Sequence, residues 1–389
     1  MARLESIREQ VLAGVSRLPD EEVPLARAAG RWLAEPVRAR LAAPPHTCSA
    51  MDGYAVRAAD LARPAALPLA QVVYAGQQPG RPLEPGQAAR LYTGATLPEG
   101  ADAVVQEELV REEAGRAHFD RAVRAGENVR RAGEDVAAGA EALPAGVRLG
   151  ARQLGLCAAV GAEAVRAVRV PRVVLLATGD EVVSGRTPDS NGPVLAGAMA
   201  AAGAAVVRRT VGDDLLEVVA ELRRALAEGD AVVTTGGVSV GARDHVPKAV
   251  AALSGEIRVH GVPMKPGKPF LFASVGGKPL LGLPGSPSAC LVAFEVFGRP
   301  ALLRMAGAGR LGRRRVRLPL AEAVEGRAGR ARFLWARLEE DGAVRPLGQD
   351  AAQVRGPALA DALLHLPAGT GALAAGAPVE AWLLEDDVP

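Results

Sequence analysis

The run Arg172-Val173-Val174-Leu175-Leu176-Ala177, followed by Thr178-Gly179-Asp180-Glu181, decides how the largest part of this chain folds. A short, unbroken apolar run that stops at Gly and acidic residues is the pattern of a strand buried on both faces. Downstream, a helix is expected from about Pro193 to Ala202, with Asn191 as its cap and Pro193 in its first turn. Ala205-Val206-Val207 opens a second strand, which ends in Val211-Gly212-Asp213-Asp214 and runs into a helix over 214–227. A third strand, Asp230-Ala231-Val232-Val233-Thr234-Thr235, ends in Gly236-Gly237-Val238-Ser239-Val240-Gly241, with Asp244 just beyond. Further strand segments reach Leu283, and a helix starts at about Pro287. Strand and helix in alternation predict a doubly wound parallel sheet with helices on both faces.

Outward from this block the texture changes. Leu4, Ile7, Val11, Val15 and Leu18 recur at helical spacing, and residues 150–164 read as helix again. Between them, short apolar runs are broken by Pro44-Pro45, Gly76, Pro79-Gly80, Pro85-Gly86, Gly94 and Pro98, which predicts a β-rich module. The expectation is a helical N-terminal domain (1–40 and 135–168) interrupted by an inserted β-rich module (41–134). The α/β domain then covers 169–308. Val316-Arg317-Leu318, Ala331-Arg332-Phe333-Leu334-Trp335 and Val379-Glu380-Ala381-Trp382-Leu383-Leu384 predict a barrel-like C-terminal β domain over 309–389. The fold class is therefore multidomain α/β plus β, as expected for 389 residues.

Bulk properties exclude several functions. Basic and acidic side chains number 46 and 44, a balance that argues against a nucleic-acid binder. No stretch of about 18 apolar residues lacks charge or Gly/Pro punctuation, so no membrane span is expected. Cys48, Cys157 and Cys290 are far apart and form no CxxC pair, which argues against a disulfide framework or structural zinc site and fits a reducing, cytoplasmic setting. His46 and Cys48 have no further ligands near them and read as a loop pair.

In an open α/β sheet, ligands bind beyond the carboxyl ends of the strands. Three strand ends here carry carboxylates, at Asp180-Glu181, Asp213-Asp214 and Asp244, and two carry glycine-rich backbone. Glycines let main-chain N–H groups approach an anion, and carboxylates hold Mg²⁺ together with substrate phosphates. Each feature alone is an ordinary turn, and Asp214 reads best as a helix cap; three in one sheet predict a site for a phosphorylated ligand bridged by a metal. Lys265-Pro266-Gly267-Lys268-Pro269 places two lysines on a stiff corner, suited to oxyanions. Leu283-Pro284-Gly285-Ser286-Pro287 opens a helix whose N–H groups favour an anion. Ser49-Ala50-Met51-Asp52-Gly53-Tyr54-Ala55, Tyr92-Thr93-Gly94-Ala95 and Arg131-Ala132-Gly133-Glu134-Asp135 are, on residue chemistry alone, polar turns.

Taken together and in this order, these motifs resemble the molybdopterin molybdenumtransferase family, the MoeA-type proteins and the gephyrin E domain. The similarity spans roughly residues 5 to 305 and is weaker beyond. The Met-Asp-Gly-Tyr-Ala and Lys-Pro-Gly-Lys-Pro elements are its most specific parts. The resemblance implies a MogA-like sheet domain, four domains and an elongated homodimer, with each active site between one subunit's sheet domain and the partner's β module. It implies reaction of molybdate with adenylylated molybdopterin, release of AMP, use of Mg²⁺ or another divalent metal, and a molybdopterin adenylyltransferase as upstream partner. Under it, Asp52, Thr93 and Asp135 reach in from the partner. Glu181, Asp213 and Asp244 serve nucleotide and metal with Asp180 beside them, and Lys265 and Lys268 hold molybdate or phosphate. Thr178, Gly179, Gly236, Gly237, Ser239, Pro284, Gly285, Ser286 and Pro287 line the pterin nucleotide.

The chain departs from the family pattern at Gly261, where many relatives have lysine. The usual Pro-Gly-Asn-Pro-Val-Ser reads Pro284-Gly285-Ser286-Pro287-Ser288-Ala289. A family arginine aligns near Trp335 or Arg337, and the Gln-Gly-Ser run is not legible around Ala351-Ala352-Gln353. These departures keep two rivals open: a paralogue that binds the pterin nucleotide without turnover, inserts tungsten or acts as a scaffold, and a nucleotide amidohydrolase or transferase that shares only the sheet domain.

Overall fold

The computed structural model describes residues 2–239, 241, 244–326, 329–348 and 350–384; Val240 of the third strand-end motif lies outside them. At its centre is a six-stranded sheet in the order Ala205–Val211, Arg172–Thr178, Ala231–Thr235, Lys278–Leu283, Leu271–Val275, Glu256–His260. The first four are parallel. Strand Arg172–Thr178 is buried at every residue after Arg172. Its alternation feeds two cores. Val173 and Leu175 join Leu195, Met199 and Phe294 on one face, while Val174 and Leu176 join Val218, Leu222 and Val250 on the other. Helices therefore cover both faces, as the continuous apolar run requires.

The sheet is not parallel throughout. Leu271–Val275 and Lys278–Leu283 pair antiparallel across Gly276-Gly277, whose φ angles are +55° and +78°. Two positive φ values in a two-residue loop make a tight hairpin, which glycine permits and which forces the strands to run in opposite directions. Glu256–His260 adds a second antiparallel strand at the edge.

The expected helical N-terminal domain is corrected by the structure. The first helix, Ala2–Ala13, is shorter than expected, and Val11 and Val15 pack into the sheet-domain core. The remaining N-terminal segments form two small antiparallel pairs, Asp20–Pro24 with Ala164–Val168 and Val37–Arg38 with Glu141–Leu143. The helix expected over 150–164 is Ala151–Ala159 only. Pro19, Pro24, Pro36 and Gly161 stop regular helix here, because proline lacks a donor and clashes with the preceding turn. A small core around Leu33, Leu149 and Cys157 holds these short strands and the helix Ala151–Ala159 together.

The β-rich module is a six-stranded sheet in the order Ala103–Gln106, Gly53–Val56, Ala88–Leu91, Ala65–Val73, Arg116–Phe119, Val110–Glu113. The C-terminal strands run Arg315–Pro319, Pro378–Leu383, Ala362–Leu366, Ala331–Leu338, with Val344–Pro346 beside the last. A bridge from Leu320 to Val344 curls this sheet back on itself around Leu334, Leu364 and Ala381. Met264–Lys265 leaves the α/β domain and pairs in parallel with Ala331–Arg332, which stitches the two domains together. Arg313 forks onto Glu295 with two bonds of 2.9 Å and donates to the Leu384 carbonyl at 2.6 Å. No helix among the described residues is long and apolar enough to cross a membrane.

Asp214 caps helix Leu215–Glu228 as expected, accepting from the N–H groups of Leu216 and Glu217 at 2.9 and 3.0 Å. Removing such a cap costs about 1 kcal/mol. Asp214→Ala is expected to lower the urea midpoint accordingly, and Asp214→Ser to recover most of the loss.

Candidate active site

The strand order around Arg172–Thr178 reverses, since its sequence neighbour in the sheet lies on one side and Ala231–Thr235 on the other. Such a switch point opens a crevice at the carboxyl ends of the strands. A cavity of about 310 Å³ lies there, lined by Thr178, Gly179, Glu181, Asp189, Asn191, Asp213, Thr235, Gly236, Gly237, Asp244, Gly285 and Pro287 among others. Nine sequence-predicted residues are thus brought together: Thr178, Gly179, Glu181, Asp213, Gly236, Gly237, Asp244, Gly285 and Pro287.

Backbone and side-chain bonds hold the rim. Asp180, expected beside the metal, does not line the cavity. Its carboxylate accepts from the Asp213 N–H at 2.9 Å, and the Asp213 carboxylate lies 3.4 Å from the Asp180 N–H. The two strand-end loops therefore brace each other. Asp244 accepts from the Gly241 N–H at 2.7 Å. Gly236, expected to offer its N–H to an anion, donates it to the Leu283 carbonyl instead.

Asn191 was read from sequence as a helix cap, but it is the first residue of helix Asn191–Ala201. The cap position is Ser190, whose side chain makes no capping bond; Asp189, one residue earlier, accepts from the Gly192 N–H at 2.7 Å and pairs with Arg208 at 2.8 Å. The Asn191 amide is freed for the cavity. It donates to Thr235 Oγ1 at 2.9 Å and to the Gly285 carbonyl at 2.7 Å, and Thr235 Oγ1 donates to the Pro284 carbonyl. Asn191 Oδ1 is buried and has no hydrogen-bond partner among the described residues. An acceptor left so costs free energy that a ligand donor would recover. The signal for Asn191 was its position between two strand ends in space, which local sequence does not carry.

The helix Pro287–Ala293 was expected to present free N–H groups to an anion. The Ala351 carbonyl takes two of them, from Ser288 at 3.0 Å and Ala289 at 3.4 Å. Trp335 is 2% exposed and donates its indole N–H to Ser288 Oγ at 2.8 Å, whereas Arg337 is exposed on the same strand. Three of the sequence departures, at Ser288-Ala289, Trp335 and Ala351, are therefore one packed contact.

The remaining expected residues lie outside this cavity. Ser239, Ser286 and Pro284 are near its rim in sequence but do not line it. Lys265 and Lys268 are exposed on the loop that carries strand Met264–Lys265 toward the C-terminal sheet, and they do not line this cavity. Asp52, Thr93 and Asp135 belong to the β module and its return; none lines the cavity of its own chain. Asp52 accepts from both the Thr93 hydroxyl and the Thr93 N–H at 2.7 Å. Those two donors favour the ionised form and hold the Asp52 carboxyl below its usual range. Among the described residues no three His, Cys, Asp or Glu groups converge as a metal cluster.

Comparison with known proteins covers most of the chain. Residues 2–161 match the MoeA N-terminal region (domains I and II), 174–304 a probable molybdopterin binding domain, and 317–384 the MoeA C-terminal region (domain IV). A molybdopterin molybdenumtransferase 2 of Mycobacterium tuberculosis is 36% identical over 380 residues, covering 92% of this chain and 94% of that protein. A molybdopterin molybdenumtransferase of Nostoc is 38% identical over 308 residues, 75% of this chain and 71% of that one. The crystal structure of a molybdopterin biosynthesis MoeA protein from Pyrococcus horikoshii superposes with a TM-score of 0.85 at 27% identity, covering 98% of this chain and 99% of that one.

Gly236 has φ +85°, and a Cβ there would lie 2.8 Å from Thr178 Oγ1 and 2.9 Å from the Thr178 carbonyl. Gly236→Ala is expected to destabilise the chain by roughly 1–3 kcal/mol in urea denaturation. Gly285→Ala, whose Cβ would meet only Gly236 at 3.5 Å, is expected to fold normally.

Proposed function

The chain belongs to the MoeA family and is a molybdopterin molybdenumtransferase of molybdenum cofactor biosynthesis, acting on molybdate and adenylylated molybdopterin; we propose that the strand-end cavity is where the nucleotide is held. The observation that carries this assignment is that Glu181, Asp213 and Asp244 all line one cavity at the switch point of the sheet. Among the described residues its lining contains no Lys or Arg. A phosphoanhydride brought against three carboxylates needs a compensating cation, and Mg²⁺ suits the place because it takes one or two protein oxygens and completes its shell with phosphate and water. Bound there, it would neutralise charge developing on the phosphate as AMP leaves. Asn191 Oδ1 would accept a donor from the base or the sugar.

Lys265 and Lys268 have no side-chain partner among the described residues, and we assign them to the incoming oxyanion. Asp52, Thr93 and Asp135 serve the site of a second copy, since they line no cavity with their own acidic cluster. The working unit is then a homodimer, supplied by a molybdopterin adenylyltransferase. Buried, unpaired Cys48, Cys157 and Cys290 support a reducing, cytoplasmic setting. The Trp335–Ser288 contact favours one second reading, a protein that binds the pterin nucleotide without turnover.

Molybdate-dependent AMP release from adenylylated molybdopterin with Mg²⁺ is expected, with a loss of about 10²-fold or more in Asp244→Ala and Lys268→Ala. Tight binding without AMP release would establish the second reading instead. A monomer in gel filtration that retains activity would remove the shared site.

Thr93 also supplies a pH test. With the Asp52 pKa depressed in the folded protein, the carboxylate is ionised at and above its ordinary range and is lost only as pH falls through the lowered value. Thr93→Val removes one of the two donors. The acid limb of the pH–rate profile is expected to move to higher pH; an unmoved limb would mean that Asp52 ionisation does not limit turnover.

A further inference from the structure

The chain has few rings, and they are unevenly placed. It carries six Phe, three Tyr and three Trp. Every Phe is buried, as are Tyr54, Trp335 and Trp382. Tyr74 alone is exposed, at 50%. All three tyrosines belong to the β module, at positions 54, 74 and 92. Tyr74 and Tyr92 stack, with ring centroids 4.8 Å apart and planes 9° from parallel. The stack covers one face of the Tyr74 ring and leaves half of the residue in solvent. An exposed ring held in an ordered stack, with the exposed Val72 two residues before it, is an apolar surface that a ligand or partner can cover.

Sheet register puts the pair where it is. Val72 pairs with Arg90 across the parallel strands, and Tyr54 pairs with Arg90 across the antiparallel ones. Residues two apart on a strand share a face, so Tyr74 and Tyr92 follow Val72 and Arg90 onto one side of the sheet. The Gln77 N–H donates to the Tyr74 carbonyl at 3.0 Å, so the chain turns directly after the ring. The Arg90 guanidinium lies 5.8 Å from the Tyr54 ring centroid and 5.7 Å from that of Tyr92. Its charge is met by Glu107 and Glu112, each at 3.3 Å. The base of the stack is therefore held in place and offers no free cation of its own. Directly after Tyr92 comes Thr93, which donates to Asp52 through both its N–H and its hydroxyl. The stack thus stands beside the two residues that we place in the site of a second copy.

The strand-end cavity lacks what the stack offers: no Phe, Tyr, Trp or His is among its described lining residues. With the nucleotide held there, the pterin is left as the flat ring of the substrate with no aromatic surface to lie on. We infer that the Tyr74–Tyr92 stack of one subunit receives the pterin ring of the substrate held at the other subunit's strand ends. The inference rests on the shared site proposed above. A flat heterocycle lies on an aromatic face through its π surface, and removing the ring beneath it weakens binding about tenfold.

Kinetics of molybdate-dependent AMP release read this contact. Tyr74→Ala is expected to raise KM for adenylylated molybdopterin about tenfold while kcat stays within about twofold. Tyr74→Phe should keep the ordinary KM, and Tyr74→Leu, apolar but without a ring, should behave like Tyr74→Ala. The Kd of AMP, measured by calorimetry, should be the same in all of them. Mixed dimers, purified through a different tag on each chain, test the contact between subunits. A dimer of one Tyr74→Ala chain and one Asp244→Ala chain should work at the ordinary KM, because one of its two sites then joins an intact cavity to an intact ring. A dimer of Asp52→Ala and Asp244→Ala chains should regain activity for the same reason. The inference is overturned by an unchanged KM in Tyr74→Ala, by a KM restored in Tyr74→Leu, by weakened AMP binding, which would put the base on the ring, or by a Tyr74→Ala chain that elutes as a monomer, which would make the ring a subunit contact. If the Asp52/Asp244 dimer regains activity and the Tyr74/Asp244 dimer keeps the raised KM, the shared site stands and the role of the ring in it falls. If neither dimer regains it, the shared site falls and this inference with it.

Discussion

The parallel pairing of strand Arg172–Thr178 with a neighbour on each side is the constraint on which the rest of the molecule depends. A strand hydrogen-bonded along both edges and buried on both faces can contribute to function only at its carboxyl end. That end is Thr178-Gly179, and it meets the ends of Ala205–Val211 and Ala231–Thr235 at one level. Two separate cores, one on each face, hold it there. The cavity is therefore a property of the sheet before it is a property of any one side chain. Asp180 and Asp213 cross-brace the loops, and the Asn191 amide ties Thr235 to Gly285.

A second set of contacts fixes the C-terminal sheet to this core. Met264–Lys265 is shared with that sheet as a strand, Trp335 enters to reach Ser288, and the Ala351 carbonyl covers the first turn of helix Pro287–Ala293. A helix N-terminus carries partial positive charge whether a ligand or a carbonyl satisfies it. Here a carbonyl does so, and we assign the oxyanion to the exposed lysines Lys265 and Lys268 instead. The altered Pro-Gly-Ser-Pro-Ser-Ala run and Trp335 thus meet in one contact, in which a bulky indole lies beside Ser288. Read separately along the chain they looked like independent losses.

How far the sequence could be read followed from how local each determinant was. The α/β domain was legible because its central strand is an unbroken apolar run and its strand ends carry Gly and Asp together. The cap at Asp214 was legible because capping is a contact over two or three residues. The N-terminal region was misread because Leu4, Ile7 and Val11 do form a helix, but one that packs into another domain's core, while strands of two to five residues between prolines carry too little periodicity to be seen. Asn191 was seen and given the wrong task, since its partners Thr235 and Gly285 are 44 and 94 residues away. The pairing of the lysine corner with the C-terminal sheet rests on a two-residue strand joining another domain, which no local pattern announces.

The charge distribution then argues for a divided site. Glu181, Asp213 and Asp244 line a cavity with no Lys or Arg among its described lining residues, while Lys265 and Lys268 stand on an exposed corner outside that lining. One substrate of this reaction carries a phosphoanhydride and the other is an oxyanion, so both are negative and would repel each other in a single cationic cleft. Holding the nucleotide by cation-bridged carboxylates and the oxyanion by lysines lets each charge be compensated by a different means. The Lys-Pro-Gly-Lys-Pro corner is held in register by its pairing with Ala331–Arg332. In the proposed divided site, the distance between its two halves is set by how the C-terminal sheet packs on the α/β domain, a packing to which the Trp335–Ser288 hydrogen bond contributes although neither residue touches the nucleotide cavity.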